Sequence, residues 1–100
     1  MLPIEWRVDA RNDLAEIIGF IARSNPAAAR RMRDLIDAAT IPLAEHPYLF
    51  RRSERVPGTR EVVAHPNYLI VYQVTSTKVE ILAVTHTRQP YPESCQATRA

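Results

Sequence analysis

Cysteine and glycine are scarce in this 100-residue sequence, and their scarcity excludes several classes of protein. Cys95 is the only cysteine, so an intrachain disulfide framework is impossible, and we expect a reducing compartment, the cytoplasm. Gly19 and Gly58 are the only glycines, too few for a glycine-rich phosphate-binding loop. The N-terminal residues (MLPIEWRVDARND) lack the basic start and apolar run of a signal peptide.

Long apolar runs and metal-ligand patterns are also missing. No apolar stretch approaches the roughly 20 residues of a membrane span, so we expect no membrane partner. The three histidines, His46, His65 and His86, are far apart and form no HxxxH pattern, and a CxxC pair is impossible. A serine or cysteine nucleophile motif is missing too. We therefore expect no cofactor and no metal.

Lysine is nearly absent: Lys78 is the only one, and the other twelve of the thirteen basic residues are arginines. Arginine binds phosphate and carboxylate groups through two parallel hydrogen bonds, so this bias fits a nucleic acid or an acidic protein partner. An arginine-biased genome with a solvated surface explains the composition equally well. The candidate target-binding residues are Arg51, Arg52 and Arg55, in the polar loop 48–58, together with Arg88.

The apolar and charged fractions, 46% and 24%, are those of an ordinary globular domain. Residues 1–92 are predicted to form one domain and 93–100 a flexible tail, because Pro90 and Pro92 stop regular structure. Apolar residues alternate from Pro3 to Val8, which predicts a strand.

Two helices are predicted to follow as an antiparallel hairpin. Asp9 is the expected N-cap of the first helix, whose apolar residues recur at helical spacing from Ala10 to Ala22. Asn25 is the expected cap of the second, with Pro26 in its first turn. Pro42 predicts either a kink near 38–41 or an early end followed by a short turn.

Three further strands are predicted at 59–64, 68–75 and 78–85, with Ser76 and Thr77 forming a two-residue hairpin loop. The last strand has apolar residues at successive positions from Ile81 to Val84, which indicates a central strand buried on both faces. The fold class is therefore α+β: an N-terminal strand, an α-helical hairpin, then a three-stranded antiparallel sheet.

In this order of elements, five local phrases resemble the RelE/ParE toxins of bacterial type II toxin–antitoxin systems, and the ParE branch more than the lysine-rich ribosome-dependent nucleases. The resemblance covers residues 3 to about 92, and the phrases are Asn25–Ala29 (NPAAA), Leu43–Pro47 (LAEHP), Val56–Glu61 (VPGTRE), His65–Tyr72 (HPNYLIVY) and Val79–His86 (VEILAVTH).

The resemblance implies a microbial-ribonuclease-like fold and a cognate antitoxin of the ParD kind. Such an antitoxin covers an apolar groove along the helices and sheet edge with an amphipathic helix. Contact with operator DNA is implied only through the antitoxin. The implied targets are DNA gyrase for a ParE-like toxin and ribosome-bound mRNA for a RelE-like one.

Metal-free RNA cleavage is the enzyme chemistry that these residues could support. It needs an acid–base group near neutral pKa, which histidine supplies, and cations for the phosphorane charge, which arginine supplies. The candidate catalytic residues are Arg60, His65, His86, Arg88 and Tyr91, provided that their strands are neighbours. RelE-type nucleases use lysines that are missing here. His65 also has a structural interpretation, in which it ends its strand by bonding backbone groups.

Three functions follow from these observations. The first is a ParE-like toxin that arrests growth by inhibiting gyrase without chemistry of its own. The second is a RelE-like mRNA endonuclease. The third is a non-toxic binding partner that survives as co-repressor of its antitoxin.

Overall fold

The computed structural model describes residues 1–53 and 56–87, and within them the predicted order of elements is confirmed. The strands are β1 (Ile4–Trp6), β2 (Arg60–His65), β3 (Tyr68–Val74) and β4 (Val79–His86). The helices are α1 (Val8–Ala22) and α2 (Pro26–Thr40), followed by a short 3-10 helix (Ile41–Ala44). The predicted tail lies outside the described residues. Every helix in the described part falls short of the length and apolar character that crossing a membrane requires.

The four strands form one sheet in the order β1–β4–β3–β2, and the prediction that the last strand is central is confirmed. Strand β4 is buried along almost its whole length. Strands β2, β3 and β4 are antiparallel, whereas β1 joins β4 in parallel, with Ile4 opposite Val79 and Trp6 opposite Ile81. The N-terminal strand therefore makes the sheet mixed. The hairpin loop at Ser76 and Thr77 is also confirmed, closed by a hydrogen bond from the Thr75 amide to the Lys78 carbonyl.

The start of α1 differs from the prediction. Arg7 is the N-cap residue, with no side-chain capping bond, and Asp9 lies inside the first turn. The predicted Asp9 cap is wrong because β1 ends early: the Arg7 amide donates to the Ile81 carbonyl, and the chain then leaves the sheet. Val8, expected in the strand, begins the helix and is 70% exposed. Asp9 still places a negative charge at the positive end of the helix dipole.

The start and end of α2 follow local chemistry. The Ala28 amide donates to Asn25 Oδ1 at 3.0 Å and Pro26 occupies the first turn, so the predicted cap is confirmed. Of the two outcomes expected for Pro42, the structure shows the early end, because the α-helix stops at Thr40 and the chain continues as the 3-10 helix. A proline near the start of that helix removes no helical hydrogen bond, because the first amides of a helix have no acceptor within it.

One face of the sheet packs against the helical hairpin and holds the main core. This core includes Ala10 and Ile36 from the helices, Leu43 from the 3-10 helix, and apolar residues of all three C-terminal strands. Tyr72, the largest fully buried side chain, lies in it. A second buried cluster on the strands consists of Leu69, Val71, Leu82 and Ala83.

Asp13 of α1 accepts a hydrogen bond from the Val84 amide at 3.1 Å. β1 pairs with β4 only as far as Ile81, so beyond that point the side chain of Asp13 takes the place of a neighbouring strand. Burial is the main cause that raises the pKa of the Asp13 carboxyl; the Val84 hydrogen bond opposes it, and the charges of Glu16 and Asp9 add to it.

The raised pKa predicts a pH-dependent effect of Asp13→Asn. The folded state holds the Asp13 proton more tightly than the unfolded state, so ionised Asp13 lowers the free energy of unfolding above its folded pKa but not below its ordinary value of 3.8. Asparagine keeps an acceptor for the Val84 amide and carries no charge. We expect a higher melting temperature than wild type at pH 7, and a smaller difference as the pH approaches 4.

The matched control is Asp13→Ala, which removes the acceptor and should cost about 1 kcal/mol of unfolding free energy. A lower melting temperature of Asp13→Asn than of wild type at pH 7 would contradict this prediction. It would show that the attraction between the carboxylate and the Val84 amide stabilises the fold by more than burial of the charge destabilises it.

Candidate functional sites

Three aromatic rings form a row across one end of the sheet. His65 of β2, Tyr68 of β3 and His86 of β4 are register partners in turn. The ring centroids of His65 and Tyr68 are 6.1 Å apart, and those of Tyr68 and His86 are 5.6 Å apart in an edge-on arrangement. All three side chains are partly buried. The structure therefore brings together two of the predicted catalytic residues, on either side of a tyrosine that the sequence analysis did not select.

The turn between β2 and β3 positions His65. The Asn67 amide donates to His65 Nδ1 at 3.1 Å, so this ring nitrogen accepts a hydrogen bond and the proton of a neutral ring is on Nε2. The structural interpretation of His65 is confirmed by this bond. It leaves Nε2 as the atom that could exchange a proton with a ligand.

Arg60 does not join the row of rings. It lies at the opposite end of β2, five residues before His65, which is roughly 16 Å along an extended strand. Arg60 therefore does not converge with His65 and His86, and the expectation that it forms the clamp of a nuclease site with them is wrong. The remaining predicted catalytic residues, Arg88 and Tyr91, lie outside the described residues.

Arg60 instead holds the chain segment 47–50 against the sheet. Its Nη1 donates to the Phe50 carbonyl at 2.8 Å and the Tyr48 carbonyl at 3.3 Å, and its guanidinium carbon lies 5.0 Å from the centre of the Tyr48 ring. Its register partner Tyr72 donates its hydroxyl to the Pro47 carbonyl at 2.8 Å. Burial raises the pKa of Tyr72 to about 12, with the nearby Arg60 charge acting in the opposite direction.

The predicted target-binding arginines have different environments. Arg51 is ion-paired with the buried carboxylate of Glu61. Arg52 is exposed and faces Arg60 across an isolated antiparallel bridge. Arg55 and Arg88 lie outside the described residues. Of this group, Arg52 is the arginine that the structure leaves available for a ligand.

A largely apolar groove of about 620 Å³ lies between α1, α2 and the end of β1. Gly19 contributes to it, and a methyl group built there would meet nothing within 4 Å. The groove matches the exposed apolar surface expected along the helices. Its other lining residues are the apolar Trp6, Leu14, Ala15 and Ile18 and the charged Arg11, Arg33 and Asp37.

Within residues 1–53 and 56–87, no three histidine, cysteine or acidic side chains are placed to share a metal ion.

Comparisons with known proteins point to one family. A family model described as the ParE toxin of the type II toxin–antitoxin system parDE matches residues 4–91. The protein Y4kP of Sinorhizobium fredii is 40% identical over 91 residues, which cover 90% of this chain and 93% of that protein. Toxin RelE2 of Caulobacter vibrioides is 34% identical over 87 residues, 86% of this chain and 96% of that protein.

Solved structures confirm the fold class. A chain of the chromosomal ParDE system from P. aeruginosa has a TM-score of 0.77 at 21% identity, covering 86% of this chain and 96% of that one. A chain of the RelBE2 toxin–antitoxin complex from Mycobacterium tuberculosis has a TM-score of 0.57 at 22% identity, covering 89% and 97%.

The contacts of Arg60 predict that its loss affects stability. Arg60→Gln should lower the free energy of unfolding by about 2 kcal/mol, because hydrogen bonds from a charged donor to two carbonyl groups are removed. Chemical denaturation measures this value. Arg52→Gln is the matched control and should change it by less than about 0.5 kcal/mol, as is usual for an exposed residue. Equal stability of the two variants would show that Arg60 does not hold segment 47–50.

Proposed function

Because this chain belongs to the ParE toxin family of type II toxin–antitoxin systems, we propose that it arrests growth by binding DNA gyrase and holding it on cleaved DNA. The protein itself performs no bond-breaking step in this mechanism. Its work is to bind, through surface contacts that include Arg52, and through Arg55 and Arg88 in the segments outside the described residues.

The observation that carries this proposal is the position of Arg60. A nuclease of this kind needs its cationic clamp within hydrogen-bonding distance of the phosphate that the ribose 2′-hydroxyl attacks, beside the base that deprotonates this hydroxyl and the acid that protonates the leaving oxygen. Arg60 is at the other end of β2 from His65, and its guanidinium already binds the carbonyl groups of Tyr48 and Phe50. An inhibitor that acts by binding requires no such convergence.

A second candidate function, a ribosome-dependent mRNA endonuclease, is favoured by the ring row. His65 and His86 lie on either side of Tyr68. One histidine could act as base for the ribose 2′-hydroxyl and the other as acid for the leaving oxygen. Tyr68 could stack on a nucleobase. The cation for the phosphorane would have to come from elsewhere, and Arg88 is the nearest in sequence to His86.

We also infer that the partner in the cell is an antitoxin of the ParD kind, and that its amphipathic helix lies in the groove between α1 and α2. The groove offers the apolar side chains of Leu14 and Ile18 between the charges of Arg11 and Arg33. Gly19 supports close approach of a helix: glycine inside a helix costs about 1 kcal/mol relative to alanine, and no contact with the described residues needs it. Operator DNA would be contacted through this antitoxin.

Induction of the chain without its antitoxin, in cells with wild-type or toxin-resistant gyrase, tests the target. We expect DNA breaks and growth arrest with wild-type gyrase, intact messages, and growth restored by the resistant gyrase. Equal arrest in both strains with rapid mRNA cleavage would establish the nuclease instead, and His86→Ala should then abolish cleavage. Normal growth in both would identify the non-toxic co-repressor.

Substitutions of Gly19 test the groove. Gly19→Ala should raise the free energy of unfolding by roughly 1 kcal/mol, since the added methyl group meets open space. Gly19→Trp should leave the protein folded but weaken antitoxin binding at least tenfold in a titration. Glu16→Trp, at an exposed position of α1 that does not line the groove, is the matched control. Wild-type affinity of the Gly19→Trp variant would place the antitoxin elsewhere.

A further inference from the structure

Two arginines face each other at the outer edge of β2. The segment 51–53 runs antiparallel to the start of this strand: the Ser53 amide donates to the Thr59 carbonyl at 3.0 Å and the Glu61 amide to the Arg51 carbonyl at 3.1 Å. Between these two bonds lies the bridge of Arg52 with Arg60. Residues opposite each other in an antiparallel pair project to the same face, so the two guanidinium groups share one side of the bridge.

Within residues 1–53 and 56–87, no carboxylate is paired with either of these two arginines. Like charges directly opposite each other destabilise a strand pair. Nη1 of Arg60 donates hydrogen bonds to two carbonyl groups, whereas Arg52 makes no hydrogen bond or ion pair with any described residue. Glu61, an acidic residue of β2, is paired with Arg51, and both neighbour the bridged pair along their strands, so they project to the other face. An anion bound between Arg52 and Arg60 would remove the repulsion.

A cavity stands beside the two arginines. It measures about 230 Å³ and is lined by Tyr48, Arg52, Gly58, Thr59, Arg60 and Val74. The Tyr48 ring covers one face of the Arg60 guanidinium, and Gly58, in a left-handed turn at a φ of 85°, adds no side chain. The volume suits one amino-acid side chain.

We propose that this cavity binds the carboxylate of an acidic segment in the protein that the toxin arrests. Arginine pairs with carboxylates through parallel hydrogen bonds, and the guanidinium of Arg52 makes none with the residues that the structure describes. A protein segment is favoured over a nucleic-acid backbone because exposed apolar side chains adjoin the site: Tyr48 is 65% and Leu49 69% exposed. A phosphate backbone would instead call for a track of further cations.

The target is the source of this segment because the groove assigned to the antitoxin is elsewhere. That groove includes Trp6 of β1, and β1 and β2 are the two outer strands of the sheet. Three strand spacings separate them, roughly 14 Å. The identification of the segment as part of the target rests on the proposed growth arrest. The existence of the carboxylate site does not depend on that function.

Binding to the full-length chain tests the site directly. The probe is the peptide acetyl-Leu-Glu-Leu-amide, with acetyl-Leu-Gln-Leu-amide and inorganic phosphate as comparisons, and the readout is the NMR signals of the arginine Nε–H groups. We expect the acidic peptide to shift the signals of Arg52 and Arg60 saturably, and Arg52→Gln to weaken this binding at least fivefold. The glutamine peptide should cause no saturable shift. Absence of saturation with the acidic peptide, or tighter binding of phosphate, would overturn the proposal.

Growth arrest without antitoxin tests the role in the cell. Arg52→Glu should relieve the repulsion from Arg60, keep or raise the melting temperature, and raise colony survival at least tenfold. Arg30→Glu changes the charge equally at an exposed position of α2 and should arrest growth as wild type does. A folded Arg52→Glu variant that still arrests growth would overturn the assignment to the target. Arrest that persists with resistant gyrase would refute the gyrase proposal alone, because peptide binding is measured without gyrase.

Discussion

Strand β4 is hydrogen-bonded on both sides, to β3 antiparallel and to β1 in parallel, and it is buried along most of its length. The parallel pairing places the N-terminal strand β1 at the edge of the sheet, beside β4. It also sets where the helical hairpin begins, since the Arg7 amide makes the last bond of this pairing and α1 starts at the next residue. Asp13 then completes the edge of β4 at Val84. Trp6, the last residue of β1, lines the groove together with residues of α1 and α2.

The opposite edge of the sheet depends on a second set of contacts. β2 is an outer strand, and its neighbour beyond the sheet is the irregular segment 47–53. Arg60 and Tyr72 bind the carbonyl groups of this segment from adjacent strands, so one buried phenol and one partly buried guanidinium replace the backbone bonds of a further strand. Unpaired carbonyl groups in a buried position would be costly. Arg52 lies opposite Arg60 because residues 51–53 of this segment pair with the start of β2.

The molecule therefore offers separate surfaces for separate partners. An apolar groove between the helices suits an amphipathic helix, whereas the arginine pair beside Tyr48 suits an acidic segment. The row of His65, Tyr68 and His86 occupies the end of the sheet away from the arginine pair. In the proposals made above, the antitoxin and the target of the toxin contact different surfaces of this fold.

Local sequence patterns determined the element order, the limits of β2, β3 and β4 to within about one residue, the Asn25 cap and the burial of β4, since each depends on periodicity or on the chemistry of neighbouring residues. The phrases spread from Asn25 to His86 also identified the family. Periodicity does not specify pairing, so the parallel place of β1, and with it the start of α1 after Arg7, was decided by tertiary structure. The same holds for the site residues: His65 and His86 meet at Tyr68, while Arg60 turns to carbonyl groups of a segment ten to twelve residues earlier in the chain. Such contacts depend on strand register, which results from the packing of the whole sheet.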